Sequence, residues 1–231
     1  MMPPLDTRIL PDPNAAARAA ATFIASEARA AVAARGRFIM AVSGGRTPWQ
    51  MLRALAYENV PWKQMHVFQV DERVAPAGDP DRNLKHLQES LVSHAPLPPD
   101  QIYAMPVEAE DLEAASRSYA STLARVAGTP PVLDLAHLGL GPDGHTASLI
   151  PGDAVLKVVD RDVALTGIYQ KRRRMTLTYP LLNRARRILW VAIGADKRAM
   201  LSQLQSGDTS IPAGGIRRDV AVILVDRAAV G

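Results

Sequence analysis

An apolar run that becomes polar within one residue constrains the fold of this chain more than any other feature. Val132 to Leu140 is nearly continuous apolar sequence, which only Asp134 and His137 interrupt. Such a run, with prolines before it and glycines after it, is typical of a strand buried on both faces of a parallel sheet. The polar turn from Gly141 to Thr146 follows directly, at the carboxyl end of the strand, where open α/β sheets bind their ligands. The segment therefore predicts a parallel α/β fold with a candidate site at one edge of its sheet.

The turn carries a candidate acid–base pair. Asp143 and His145 are two residues apart and flanked by glycines, and a carboxylate beside an imidazole is a plausible general-base site. The alternative is an ordinary loop in which the aspartate caps a helix and the histidine is solvated. Ala147 to Ile150 is expected to form one short helical turn that ends at Pro151.

The remaining chain alternates between strand-like and helix-like patterns. Strands are expected at 37–42, 65–70, 101–105, 163–168, 175–178, 188–193 and 220–225, and helices at 14–35, 47–56, 84–91, 111–127 and 194–205. This order indicates an α/β fold with a mostly parallel, doubly wound (Rossmann-like) sheet and helices on both faces. No linker, charge block or internal repeat divides the sequence, so we expect residues 1–231 to form a single domain.

Composition narrows the classes of function. The 231 residues include no cysteine, which excludes disulfides, thiolate metal sites and cysteine nucleophiles. No signal-peptide pattern opens the sequence and no run is long enough to span a membrane, so we expect a cytoplasmic protein without a membrane partner. The net charge of +4 permits nucleic-acid binding but equally suits an anionic metabolite. Aromatic residues make up only 5% of the chain and none interleaves with basic residues, so no nucleic-acid partner is expected.

A second motif predicts an anion site. Ser43, Gly44 and Gly45 follow the strand at 37–42, and Thr47 and Pro48 favour a helix that begins directly afterwards, with Thr47 as its cap. Glycines let backbone N–H groups approach a ligand, and the helix end adds partial positive charge. The spacing matches neither the Walker pattern nor the dinucleotide fingerprint, so it indicates phosphate without a nucleotide. A plain tight turn is the alternative.

Charged residues follow other predicted strands as well. Asp71, Glu72 and Arg73 are consecutive charges at a strand end, which favours binding or catalysis over a solvated ion pair. Lys197 falls in the first turn of a predicted helix, where a cation is unfavourable for the helix dipole, which indicates another task; a solvated lysine is the alternative. The basic run 171–174 is expected to be a solvated turn, of which at most one or two side chains contact a ligand.

Together these motifs resemble those of the 6-phosphogluconolactonases. This family shares its fold with the glucosamine-6-phosphate deaminases and isomerases. The resemblance covers nearly the whole chain, and its most specific segment is GLGPDGHTASLIP, from Gly139 to Pro151. The supporting segments are SGGRTP from Ser43, VDERVAP from Val70, DRN from Asp81, RMTLTYPLLN from Arg174, IGADK from Ile193 and the closing VILVDRAA.

The resemblance implies an activity and roles for particular residues. The implied reaction is hydrolysis of 6-phospho-D-glucono-1,5-lactone to 6-phosphogluconate, without a metal or an organic cofactor. His145 is the implied general base that activates water, and Asp143 or Asp71 orients the ring or the water. Arg73 stabilises charge on the carbonyl oxygen or binds the phosphate. The family's phosphate-binding positions are matched by Ser43, Gly44, Gly45, Arg174 and Lys197.

Two departures and two alternatives accompany this interpretation. Arg82 stands where the family usually has serine, and 171–173 is basic where prolines are common. A deaminase or isomerase of glucosamine 6-phosphate is the main alternative, but deaminases carry a glutamate before the proline where this chain has Ile150. A sugar-phosphate-binding regulator is the other, although no helix-turn-helix extension is visible. The expected partner is a small sugar-phosphate lactone, and we expect a monomer or a weak homo-oligomer.

Overall fold

A seven-stranded parallel sheet forms the centre of the computed structural model, which describes residues 5–231. Across the sheet its strands are β1 (Asp6–Leu10), β10 (Ala221–Asp226), β9 (Ile188–Ala192), β6 (Leu135–Leu138), β2 (Phe38–Val42), β3 (Met65–Gln69) and β5 (Ile102–Tyr103). Every neighbouring pair runs parallel. The carboxyl ends of all seven strands therefore lie at one edge.

A small antiparallel sheet stands beside this edge. It contains β4 (Asp71–Arg73), β8 (Arg174–Leu177) and β7 (Val163–Leu165), in that order. The sequence predicted the charged triplet 71–73 as the end of a strand, whereas it forms a short strand of its own. Its pairing with β8 brings Arg73 opposite Arg174, so this second sheet carries several candidate site residues.

Helices cover both faces of the large sheet. They are α1 (Pro13–Arg35), α2 (Arg46–Leu55), α3 (Asn83–Leu87), α4 (Leu112–Ala127), α5 (Tyr179–Leu182), α6 (Arg198–Ser206) and α7 (Arg227–Val230), with a π-helical turn at Gln88–Val92 directly after α3. Short 3₁₀ turns lie at Trp62–Gln64, Pro99–Gln101, Ala154–Lys157, Ala195–Lys197 and Pro212–Gly215. Within the described part of the chain, no helix combines the length and the apolar character that a membrane-spanning segment needs.

Alternate residues of the central strands enter two apolar cores. In β2, Phe38, Met40 and Val42 pack into the core that also contains α1 and α2, while Ile39 and Ala41 face the other core. This alternation is the geometry of a strand buried on both faces. It confirms the predicted doubly wound sheet. The second core also takes in Val163, Met175 and Leu177 of the small sheet.

Several local predictions were wrong for identifiable reasons. The helix expected from residue 14 begins at Pro13, and Asp12 caps it, because its side chain accepts the backbone N–H of Ala15 at 2.7 Å. Thr47 does not cap α2, since that helix begins one residue earlier, directly after Gly45. Strand β1 was not predicted, because its residues are mostly exposed at the sheet edge and so lack an apolar pattern.

The segment after the DGH motif does not form the predicted helical turn. Ala147 adopts a φ of 49°, in the left-handed region, and Thr146 and Leu149 pair as an isolated antiparallel bridge. A non-glycine residue in this region is uncommon and often lies at a functional site. Ala147 lines the cleft described next.

Candidate active site

A cleft of about 560 Å³ opens at the carboxyl edge of the central strands. Eight of the nine site residues predicted from the sequence line it: Ser43, Gly44, Gly45, Asp71, Arg73, His145, Arg174 and Lys197. The ninth, Asp143, contacts His145 instead. Motifs far apart in the sequence meet here because parallel strands end at the same edge of a sheet.

His145 is held by one carboxylate. Its Nδ1 lies 2.5 Å from Oδ1 of Asp143, and the same oxygen accepts the backbone N–H of His145 at 3.2 Å. Since an ionised carboxylate only accepts hydrogen bonds, the neutral ring carries its proton on Nδ1 and has a lone pair on Nε2. Of the two aspartates that the sequence left as alternatives, Asp143 is the one in contact with the ring.

Gly141 leaves the space that this ring occupies. A Cβ atom at that position would lie 2.2 Å from Nδ1 of His145, far inside van der Waals contact. Any other residue would displace the imidazole or the turn. The glycine of the GPDGH segment therefore has a steric reason to be there.

Asp143 has a second partner that the sequence analysis missed. The hydroxyl of Tyr169 donates to Oδ2 of Asp143 at 2.9 Å, and the tyrosine ring meets His145 edge-on with centroids 5.6 Å apart. Burial opposes ionisation of Asp143, but the charge and hydrogen bonds of His145, together with the Tyr169 hydroxyl, hold the pKa of that carboxyl below its usual range. Asp143 thus stays an anion beside the imidazole.

Asp71 belongs to a different group of contacts. The hydroxyl of Ser148 donates to Oδ2 of Asp71 at 2.6 Å, and Nδ2 of Asn83 lies 3.3 Å from Oδ1. Ser148 also lies 3.5 Å from Nη1 of Arg174, so it joins the carboxylate to the arginine. Asp71 lines the cleft but makes no hydrogen bond to His145 among the described residues.

Arg174 is a buried cation at the start of β8. Its guanidinium lies 4.9 Å from the centroid of the Tyr169 ring, and Nη2 donates to Gln170 at 3.1 Å. Burial lowers the pKa of Arg174. The negative charge of Asp71 opposes this shift, and the positive charge of Arg73 adds to it. An arginine keeps its charge despite such a shift. Of the basic run 171–174, this residue alone lines the cleft.

The glycine turn is anchored to the neighbouring strand. Ser43 donates its hydroxyl to the carbonyl oxygen of His137 at 3.1 Å and its backbone N–H to Nδ1 of the same residue at 3.4 Å. Burial lowers the pKa of His137 to about 3, so this ring is a neutral acceptor. A Cβ atom on Gly44 would lie 1.9 Å from Oδ1 of Asn83, which explains the glycine there. Gly45 precedes α2 with a φ of 116°.

Glu72 supports the cleft from outside it. The side chain is fully buried and accepts the backbone N–H groups of Arg73, Asn83 and Leu84, each at 2.8 Å. Arg82 compensates its charge at 3.1 Å. The arginine that departs from the family pattern is therefore buried in an ion pair and does not line the cleft.

The remaining cations each contact an acidic residue or its backbone carbonyl. Arg73 donates to the carbonyl oxygen of Asp81 at 2.5 Å, and Lys197, at the end of its 3₁₀ turn, lies 3.1 Å from Asp196. Arg172 pairs with Asp79 at 2.9 Å and Asp81 at 3.3 Å, so it ties the turn before β8 to the polar loop after β4.

Within residues 5–231, no three His, Cys, Asp or Glu side chains cluster as metal ligands would.

This arrangement can bind an anion and activate water. Arg73, Arg174 and Lys197 supply positive charge to one cleft, and His145 presents an imidazole whose other nitrogen is occupied by Asp143. A base held in this way can accept a proton from a water molecule next to a bound substrate.

Known proteins are similar in sequence to this chain over most of its length. A family model described as "Glucosamine-6-phosphate isomerases/6-phosphogluconolactonase" matches residues 11–224. The 6-phosphogluconolactonase of Synechocystis sp. is 39% identical over 178 residues, which are 75% of this chain and 74% of that protein.

Solved structures share the fold over almost the whole length. The 6-phosphogluconolactonase from Thermotoga maritima superposes with a TM-score of 0.83 at 27% identity, covering 96% of this chain and 98% of that one. A monomeric glucosamine-6-phosphate deaminase gives a TM-score of 0.85 at 18% identity, covering 97% and 98%. The fold is therefore common to both activities, and the residues in the cleft must distinguish them.

Proposed function

The chain belongs to the family of glucosamine-6-phosphate isomerases and 6-phosphogluconolactonases, and we propose that it hydrolyses 6-phospho-D-glucono-1,5-lactone to 6-phosphogluconate. The observation that carries the proposal is the His145–Asp143 pair, 2.5 Å apart, in a cleft that three cations also line. The 39% identity to a 6-phosphogluconolactonase over three quarters of the chain supports it further.

The proposed mechanism uses His145 as the general base. Nε2 takes a proton from water while the water oxygen attacks the lactone carbonyl carbon, and the carbonyl oxygen becomes an oxyanion. When the carbonyl reforms, the bond from that carbon to the ring oxygen breaks, and the imidazolium returns its proton to the departing oxygen. Asp143 stabilises the imidazolium between the two steps and preserves the tautomer that leaves Nε2 free.

In the proposed complex, the cations of the cleft contact different groups of the substrate. Arg174 and Lys197, with the turn at Ser43–Gly45, bind the phosphate, since guanidinium and ammonium groups suit phosphate oxygens. Arg73 is the remaining cation of the cleft, and we assign it to the charge that develops on the carbonyl oxygen, where a fixed cation stabilises the transition state more than the ground state. No step requires a metal or an organic cofactor, because water activation and charge stabilisation both fall to side chains.

The decisive experiment is lactone hydrolysis by purified protein pretreated with a chelator. We expect a rate far above spontaneous opening of the lactone, unchanged by the chelator. The spontaneous rate is measured in the same buffer and subtracted. A rate equal to the spontaneous one would overturn the proposed function, and loss of activity that added divalent metal restores would overturn its metal-independence.

We further expect no deamination of glucosamine 6-phosphate. That reaction opens a sugar ring and moves a proton between carbons, so it needs an acid–base group beyond the one that activates water. The position of the deaminase glutamate is Ile150 here, which is buried and cannot relay a proton. The measurement is ammonia release, run beside lactone hydrolysis on one preparation. Ammonia release at a comparable turnover would reverse the assignment, and Ile150→Glu alone should not create it.

A further inference from the structure

The hydroxyl of Tyr169 is a contact to the acid–base pair that neither the motifs nor the proposed roles include. It donates to Oδ2 of Asp143 at 2.9 Å, while Oδ1 of the same carboxylate is occupied by His145. Among residues 5–231, Oδ2 has no other hydrogen-bond partner. The carboxylate is thus held at both oxygens, by the base on one side and the tyrosine on the other.

We propose that Tyr169 is a positioning residue, which holds Asp143 in the orientation that fixes the His145 ring during lactone hydrolysis. This inference rests on the proposed function and adds a residue to it. Asp143 is about one third exposed, so without a second contact its carboxylate could rotate and accept water in place of the imidazole. A base that loses its orienting partner populates the wrong tautomer, in which Nε2 carries the proton and cannot accept another.

The turn that carries Tyr169 is built to hold it in place. Tyr169 and Arg172 pair across two residues, Gln170 and Lys171, with φ values of 49° and 68°. Two consecutive positive φ values are those of a type I′ hairpin turn, a tight connection that costs energy for residues other than glycine and asparagine. Arg172 then ties this turn to Asp79. The tyrosine therefore projects from a short, cross-linked hairpin.

The Tyr169 ring contacts both the base and a cation of the cleft. It meets His145 edge-on with centroids 5.6 Å apart, and the Arg174 guanidinium lies 4.9 Å from its centroid. Burial raises the pKa of Tyr169, and the hydrogen bond to Asp143 and the charge of that carboxylate raise it further. The hydroxyl therefore keeps its proton, and its role as donor, across the working range of a histidine base.

Tyr169→Phe tests the hydroxyl alone. The phenyl ring preserves the contacts with His145 and Arg174, so KM should change by less than about twofold, while kcat should fall by about tenfold, the scale of one charge-assisted hydrogen bond. Tyr57→Phe is the matched control, because that side chain is 78% exposed and lies outside the cleft. A Tyr169→Phe enzyme with wild-type kcat would overturn the proposal.

A double-mutant cycle with Asp143→Asn separates positioning from substrate contact. If the hydroxyl acts through Asp143, Tyr169→Phe should change kcat by less than about twofold in the Asp143→Asn background. An equal loss in both backgrounds would mean that the hydroxyl contacts substrate or water directly, which contradicts the proposal.

The pH profile of kcat/KM gives a readout that a merely structural role would not move. Without the tyrosine donor, the Asp143 carboxylate turns away from the ring and stabilises the imidazolium less, so the acidic limb should move to lower pH, on the order of half a unit. The other charged groups facing the base across the cleft, Asp71, Arg73, Arg174, Asp196 and Lys197, are unchanged in both proteins. An unshifted limb would contradict the proposal. Absence of lactone hydrolysis in the wild-type protein would instead refute the proposed function, so the two failures are distinguishable.

Discussion

Replacing His145 with glutamine should lower kcat for lactone hydrolysis by about 10²- to 10⁴-fold, the usual contribution of a general base. Glutamine is polar and similar in length but does not accept a proton at neutral pH, so water reaches the carbonyl without activation. Steady-state hydrolysis with the spontaneous rate subtracted measures the loss. Thermal unfolding should change little, because the His145 side chain is partly exposed and its backbone contacts remain.

The matched control for this variant is His94→Gln. His94 is exposed and lies outside the cleft, so the same substitution there should leave kcat unchanged. A His145→Gln enzyme that retains more than about a third of the wild-type rate would remove His145 from the role of base, since general-base catalysis accounts for a far larger factor.

Replacing Arg174 with alanine should raise KM by about 10- to 100-fold, the scale of one charged contact to phosphate. Inorganic phosphate should compete with substrate in the wild-type enzyme and compete less well in the variant, because it binds the same cations as the phosphate group of the substrate. The expected effect falls mainly on binding, since the phosphate is remote from the bond that breaks.

Arg173→Ala is the neighbouring control. Arg173 precedes Arg174 in the sequence but does not line the cleft, and its side chain contacts the carbonyl oxygen of Thr166. Its loss should leave both KM and phosphate inhibition unchanged. Since Arg174 is buried, thermal unfolding of both variants is compared as well. Unchanged phosphate inhibition in a folded Arg174→Ala enzyme would exclude Arg174 from the phosphate site.

The sequence predicted the principal architecture because the signals for it are local. Apolar runs such as 132–140 and glycine-rich turns such as Ser43–Gly45 are visible in a few consecutive residues. Once the strands are parallel, the turns after them must meet at one edge, and eight of the predicted residues line one cleft. The boundaries of the elements were less accurate, since caps such as Asp12 depend on single side-chain contacts.

Charge alone did not show which residues line the cleft and which support it from outside. Glu72 and Arg73 are adjacent charged residues of one strand, yet Glu72 is fully buried under backbone N–H groups and Arg73 lines the cleft. Successive side chains of a strand point to opposite faces. Three consecutive charges do not show the alternation of polar and apolar residues by which a half-buried strand is recognised. The pairing of 71–73 with β8 in a second sheet was therefore not predicted.

The sequence by itself determined the parallel sheet, the edge at which the site lies and the chemical groups available there. Only the tertiary structure decided which aspartate contacts the base, because the sequence does not show which side chains lie within hydrogen-bond distance of Asp71 and Asp143. It alone placed the Tyr169 hydroxyl on Asp143, a contact between residues 26 positions apart. A hydrogen bond of this kind depends on how a hairpin packs against the sheet, and the residues adjacent to it in sequence carry no trace of that packing.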